Sequence, residues 1–270
     1  MAKSAPHTQN HGSLLPIGDA KPARLPPALL LGEAVVQPPR LAPDAPLGSA
    51  EAWAQANGLW PVAGTDEVGR GPLCGPVVAS AVVLQPGAAD ILQEAGLTDS
   101  KLLTEAQREA LVPLIVAHAV AHATVFVSAA EIDRRNILRA SQHAMALALD
   151  AVWQQLLGQG AELPQLVLVD GHLPVQDWRR APQWPVVKGD SKSVAIAAAS
   201  VLAKVARDQH LVLLDGQYPG YGLAQHKGYP TPQHLAALQE LGLTPEHRRS
   251  FAPVRALVAV AGKAESGELW

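Results

Sequence analysis

"AGTDEVGRGPLCG", Ala63 to Gly75, places two carboxylates, Asp66 and Glu67, side by side at the end of an apolar run. Gly-Arg-Gly and a proline follow at once. "WPVAGTDEV" reads as a strand that stops at the glycines. Neighbouring residues of a strand point to opposite faces, so Asp66 and Glu67 can share one site only if the strand ends or bulges there. Gly69 and Gly71 supply the backbone freedom for such a break. The same glycines leave a bare backbone against which another group can press.

Outward from this segment the chain alternates. "PVVASAVVL" is a β-branched run and reads as a buried second strand. "TEAQREALVPLIVAHA" is a helix with Thr104 as its N-cap. "HATVFVSA" is a third strand. "SAAEIDRRNILRASQHAMALALDAVWQQLL" reads as one long amphipathic helix, with Ser128 and Glu131 as a capping box. "QLVLVDG" is a fourth strand and "WPVVKGD" a short fifth. "SVAIAAASVLAKVARDQHLVLL" is a helix of small residues that would sit close against a sheet. The first two strands are joined by a short Gly-rich link, so they are expected to be antiparallel. The last two alternate with helices, so they are expected to be parallel. The fold class is α/β: a mixed five-stranded sheet flanked by helices.

Residues 1–58 are rich in Pro, Ala, Gly and Ser, and "LPPALLLGEAVVQPPRLAPDAP" holds no sustained period. They read as a mostly disordered extension. "ALLLGEAVV" is a docking segment at most, and "AEAWAQANGLW" a brief helix ahead of the core. The catalytic region spans 59–213. Residues 214–260, with their aromatics, prolines and histidines, read as an appended helical module, and 261–270 as a loose tail.

Length and charge bound the function. The 270 residues suffice for one large domain with additions. A net charge of −3 excludes a generic polycation that coats nucleic acid. One cysteine, Cys74, excludes a disulfide framework and fits a reducing, cytoplasmic setting. No apolar run is long enough to span a bilayer, and the N-terminus lacks a signal-peptide pattern. A monomer is expected. Protein partners are not legible.

Three strand ends carry acids: Asp66 and Glu67 the first, Asp170 the fourth, Asp190 the fifth. Sites of open α/β sheets form at the carboxyl ends of strands. If these three strands are parallel neighbours, four carboxylates converge and raise one another's pKa. A divalent cation removes that conflict. Oxygen-only ligands select hard ions, Mg²⁺ or Mn²⁺. A lone acid at a strand end is commonly a turn residue, and Asp190 alone is equally an N-cap of the next helix. The joint pattern is what points to chemistry.

These segments together resemble bacterial ribonuclease HII over roughly residues 59–254. The blocks that carry the likeness are "GTDEVGRGPLCGPVVASAV", "LTDSKLLTEAQRE", "LVDGH", "VVKGDSKSVAIAAASVLAKVARD" and "YPGYGLAQHKGYPTPQHLAALQELGLTPEHRRSF". The resemblance implies an RNase H-like fold with a C-terminal helical module. It implies an endonuclease that cuts the RNA strand of RNA–DNA hybrids and incises 5′ of a single ribonucleotide in duplex DNA. Asp66, Glu67, Asp170 and Asp190 would hold two metal ions, Mg²⁺ or Mn²⁺, and the products would carry a 3′-hydroxyl and a 5′-phosphate. By the same resemblance the backbone of Gly69, Arg70 and Gly71 senses a ribose 2′-hydroxyl, where the residues alone allow an ordinary tight turn. Tyr229 of "HKGYPT" would stack on the deoxyribose beyond the ribonucleotide. Asp99, Ser100 and Lys101 border the cleft, and Ser191, Lys192 and Lys204 are further candidates for phosphate contact. Leu102 stands where the family often has a second lysine.

Arg207 and Asp208 read as a structural pair. "HRRSF", from His247 to Phe251, is either a basic backbone contact or a helix C-terminus that favours cations. His226 lies near the site but is not required as a base. Two other readings compete: a non-catalytic hybrid- or junction-binding protein, and a ribonuclease of the same superfamily that needs several consecutive ribonucleotides. Without metal the four acids repel phosphate, which argues against the first. The Gly-Arg-Gly turn together with the "HKGY" module argues against the second.

Overall fold

A computed structural model of the chain describes residues 38–257. The "ALLLGEAVV" segment and the 261–270 tail lie outside those residues. Five strands form one sheet in the order β3-β2-β1-β4-β5. They are β1 (Val62–Val68), β2 (Val77–Leu84), β3 (Ala119–Val127), β4 (Leu166–Asp170) and β5 (Gln183–Val186). β2 runs antiparallel to β1 and β3, and β4 runs parallel to β1 and β5. The expected mixed sheet is therefore present, with the three acid-bearing strands as neighbours.

Helices cover both faces. Before the sheet comes α1 (Ser49–Ala56), and between β2 and β3 lie α2 (Ala88–Glu94) and α3 (Glu105–His118). Next come α4 (Ala129–Arg135), α5 (Ile137–Gln159) and α6 (Val194–Gln217), then the short α7 (Leu223–His226) and α8 (Pro232–Leu241). One face of the sheet packs on α5 through Ala140, Ala144, Ala148, Leu149 and Val152. The other packs on α6, whose Ala195, Ala197, Ala198 and Ala199 let its backbone come close. Gly64 of β1 marks the closest approach. Its Cα faces the Ala195 and Ile196 backbone with no room for a side chain.

Two local readings change. The long helix over residues 128–157 is broken at Asn136, which has φ 68°. Its side-chain oxygen accepts from the Arg139 amide and starts α5 afresh. Ser128 does cap α4, accepting from the Glu131 amide at 3.3 Å. The Glu131 carboxylate, however, pairs with Arg134 and Arg135 instead of returning to the cap. Within 1–58, residues 49–56 form α1, the brief helix expected from "AEAWAQANGLW". The segment has no proline and spaces Ala50, Trp53 and Ala54 on one side. It docks on the start of α6: the Gly48 and Ala50 amides donate to the Lys192 carbonyl. Trp53 meets Trp184 of β5 edge to face at 4.9 Å.

The residues after 214 fold around Leu73, Leu211, Tyr221, Leu223, Leu238 and Val254. A line of histidines runs through them. Thr244 donates its amide to His247 Nδ1, and His247 Nε2 meets His234 Nε2 at 3.2 Å. His234 Nδ1 in turn faces the Tyr229 carbonyl at 2.9 Å. His226 stacks on His234 at 4.5 Å. These partners assign one proton to His247, at Nε2, and one to His234, at Nδ1. Burial, and then the His234 charge, pull His247 down to about 4. A histidine depressed by folding stabilises the fold above its unfolded pKa and loses that contribution as pH falls. Stability in urea is therefore expected to fall by about 2–3 kcal/mol between pH 6.5 and 4 on account of His247. In His247→Gln that share of the decline should be missing. An undiminished decline would assign the pH dependence to other groups.

Candidate active site

The carboxyl ends of β1, β4 and β5 open on the same side. Pairing of β1 with β4 stops at Thr65↔Val169, while pairing of β1 with β2 runs on through Val68↔Val78. The strand thus neither ends nor bulges at Asp66–Glu67, as the sequence reading required. The acids are freed instead because β4 stops pairing just before them. Asp66 shares with Gly64 the face turned to α6, and Glu67 points to the other. Asp66 Oδ1 accepts from the Glu67 amide at 2.7 Å.

All three shifted acids move upward. Burial raises Asp66 well above the usual carboxylate range, and the charges of Asp170, Glu67 and Asp190 add to it. Burial lifts Glu67 to about 7 against the opposing Arg70 guanidinium, with Asp170 contributing. Asp170 is raised by burial and by Asp190, while the Gly189 amide opposes at 2.7 Å. The four side chains therefore feel one another, as converging acids must.

Asp190 does not end β5. It lies beyond the strand on a 3₁₀ turn, Gly189–Ser191. Nor does it cap α6, since Ser193 does so by accepting from the Ile196 amide. Ser193 is held in turn by Glu51 of α1, at 2.6 Å. Lys101 Nζ reaches Asp190 Oδ2 at 2.8 Å from a largely exposed stem. Burial lowers the Lys101 ammonium, but the hydrogen bond and charge of Asp190 outweigh it and raise its pKa.

The remaining residues named from sequence divide into two groups. Asp99 shapes the loop, accepting from the Lys101 amide. Ser100 is buried, its hydroxyl shared with Ser200 at 2.9 Å. Lys192 is 3% exposed and donates to the Val187 carbonyl. Ser191 donates to Lys188, and Lys204 pairs with Asp208 at 2.6 Å. Ser100 and Lys192 are thus turned into the protein. Facing outward are Arg70, Gly71 and Tyr229. Gly69 takes φ 92°, the left-handed region, with the Arg207 side chain against its Cα. A Cβ on Gly71 would lie 3.4 Å from the Tyr229 ring. The turn and the tyrosine, far apart in sequence, form one surface beside the acids.

Sequence reasoning mispaired two residues. Asp208 bonds Lys204 and approaches Arg108, not Arg207. Arg207 and Arg248 are both buried and donate to backbone carbonyls around the Gly-Arg-Gly turn. Position was the available signal. Arg207 shares the buried face of α6 with Ser200, seven residues before it, and Leu211, four after it, where a solvated arginine has no place. In "HRRSF" Arg248 is interior and no helix ends there, while the Arg249 and Ser250 amides both donate to Asp133 at 2.8 Å and the Arg249 side chain is exposed.

Among the described residues no three His, Cys, Asp or Glu side chains stand together as a finished metal cage. The donor chemistry nonetheless fits a hard divalent ion. The ligand atoms are all oxygens, and each resolved shift records a repulsion that a cation would relieve. Lys101 supplies part of that positive charge.

Comparison with known proteins agrees with this geometry. The sequence model of the family Ribonuclease HII matches residues 63–254. The crystal structure of ribonuclease H2 from Pyrococcus horikoshii OT3 is similar at 28% identity and TM-score 0.64, over 75% of this chain and 99% of that one. The RNase HII of a PCNA complex from Archaeoglobus fulgidus is similar at 24% identity and TM-score 0.58, over 71% and 95%. Bst-RNase HIII in complex with Mn²⁺ is similar at 21% and 0.56, over 75% and 70%.

Proposed function

The chain belongs to the ribonuclease HII family of metal-dependent endoribonucleases, and from that premise we propose that it incises duplex DNA 5′ of a single embedded ribonucleotide as well as cutting the RNA strand of RNA–DNA hybrids. The observation that carries this reading is the adjacency of three features: three raised carboxylates with Asp190 beside them, a turn that exposes Arg70 and Gly71, and Tyr229 against Gly71.

Asp66, Glu67, Asp170 and Asp190 would hold the divalent ions, Mg²⁺ or Mn²⁺. When bound, such ions activate water and stabilise the departing 3′-oxygen, which accounts for 3′-hydroxyl and 5′-phosphate products. The chain's own part is positioning. Gly189 fixes Asp170 through its amide, α1 and Ser193 fix the turn that carries Asp190, and β1 fixes Asp66. The bare turn admits a ribose, and the Tyr229 ring offers a flat face to the next sugar. Lys101, exposed and beside Asp190, is the phosphate contact among the named lysines. Its neighbour Leu102 is exposed and brings no second charge. Cys74 is buried with its thiol pushed up to about 12, an inert side chain that suits a cytoplasmic enzyme.

The test is a labelled DNA duplex carrying one ribonucleotide, incubated with Mg²⁺ or Mn²⁺. A nick 5′ of the ribonucleotide is expected. Cutting confined to long hybrids would assign the chain to enzymes that need consecutive ribonucleotides. Binding without any cut would make it a hybrid-binding protein.

A further inference from the structure

Arg248 and Arg207 are among the largest side chains that lie fully inside the protein. A buried cation is costly unless hydrogen bonded, and none of the ion pairs among the described residues involves either arginine. Backbone carbonyls satisfy them instead. Arg248 donates Nε to Gly75 at 2.9 Å and Nη1 to Arg70 at 3.2 Å. Its Nη2 serves Gly69 at 2.7 Å and Pro76 at 3.0 Å. Arg207 donates to Pro76, Lys227 and Cys74 at 3.0–3.1 Å. Among the described residues only Arg248 donates to the carbonyls of Gly69 and Arg70.

Peptide planarity gives this contact a direction. In a trans peptide the carbonyl and the following amide point opposite ways. With the Gly69 and Arg70 carbonyls drawn inward, the amides of Arg70 and Gly71 are turned away from Arg248. Neither amide donates to a backbone carbonyl among the described residues. Both residues are exposed, and Gly71 lies against Tyr229. A lysine in place of Arg248 would offer one compact ammonium where four carbonyls need a planar fork.

We propose that Arg248 is a positioning residue for ribose specificity: it holds two carbonyls inward so that the Arg70 and Gly71 amides stand outward as paired donors to the oxygen of a 2′-hydroxyl. The proposal rests on the reading of this turn as the ribose sensor. Arg248 touches no substrate; it acts through the backbone it holds.

The test is binding rather than cleavage, with Ca²⁺ as the divalent ion. Kd is measured for a duplex with one ribonucleotide and for the same duplex in all-deoxy form. The native chain is expected to prefer the ribonucleotide by roughly tenfold. In Arg248→Lys that ratio should fall toward one, with the all-deoxy Kd changed by no more than about twofold. General loss of structure would weaken both duplexes together. Arg207→Lys removes an equally buried guanidinium but leaves the Gly69 and Arg70 carbonyls held, and should keep the ratio. A ratio preserved in Arg248→Lys, or lost equally in both variants, overturns the proposal. If Arg248→Lys does not fold, amide NMR of the native chain decides. The Arg70 and Gly71 resonances should move further with the ribonucleotide duplex than with the all-deoxy one, and equal shifts overturn the proposal. A native chain with no preference at all would sink the sensor reading itself, a different result from a native preference that Arg248→Lys retains.

Discussion

Asp66→Asn is expected to reduce cleavage by on the order of a thousandfold while making the metal-free protein more stable. The two effects have one cause. Asn keeps the oxygen that accepts from the Glu67 amide, so the local backbone is undisturbed. It removes a negative charge from a buried place where Asp170, Glu67 and Asp190 all oppose it. Because folding raises the Asp66 pKa, the carboxyl favours the folded state at low pH, and that advantage is lost as pH rises through the folded value. The gain from Asn should therefore be small near pH 5 and larger near pH 8. The gain is expected as a rise of a few degrees in Tm. Added Mg²⁺ or Mn²⁺ should raise the Tm of the native chain and do so much less in the variant. Cleavage at the native rate, or a lower Tm without metal, would show that Asp66 does not belong to a charge-strained metal site.

Gly64→Ala should be the most damaging single methyl group in the catalytic region. A Cβ there would fall on the Ala195 carbonyl carbon and 2.5 Å from the Ile196 amide nitrogen. Both are backbone atoms of the first turn of α6, which no rotamer change can move. The helix must back away from β1, at a cost of about 3 kcal/mol, or roughly 6–12 °C in Tm. The same displacement carries the Asp190 turn away from Asp66, so activity should drop even where the protein remains folded. Thermal unfolding checks the first effect and cleavage below the transition checks the second. A near-native Tm would mean that the strand and helix can part at little cost.

The five strands and the acids at or near the carboxyl ends of three of them were legible because they rest on strong local signals. Apolar runs bounded by glycines mark the strands, and acids close two of them. What escaped depends on partners distant in sequence. Nothing in "RRNILRA" announces that Asn136 will turn left-handed and divide a helix. The freeing of Asp66 and Glu67 depends on where β4 stops, which β1 alone cannot reveal. Ser100 and Lys192 read as surface residues, but Ser200 and the Val187 carbonyl hold them inside. Arg248 looked like a nucleic-acid contact because its carbonyl partners lie some 170 residues earlier. Polar residues whose partners are backbone atoms leave no complementary charge in the sequence to find.

The strand order also dictates when the enzyme comes into being. β1 and β2 form a hairpin, β3 joins β2 after α2 and α3, and the three can assemble as soon as they are made. β4 joins β1 only after α5 has been laid across the sheet, and Asp190 arrives later still, on a turn pinned by α1 from the start of the chain. A nascent chain thus carries Asp66 and Glu67 without Asp170 until residue 170 is made, and without Asp190 until residue 190. A ribosome-bound fragment ending at residue 189 should leave hybrids uncut. The topology completes the set of four acids only once residue 190 has been made, and shorter nascent chains lack the last of them.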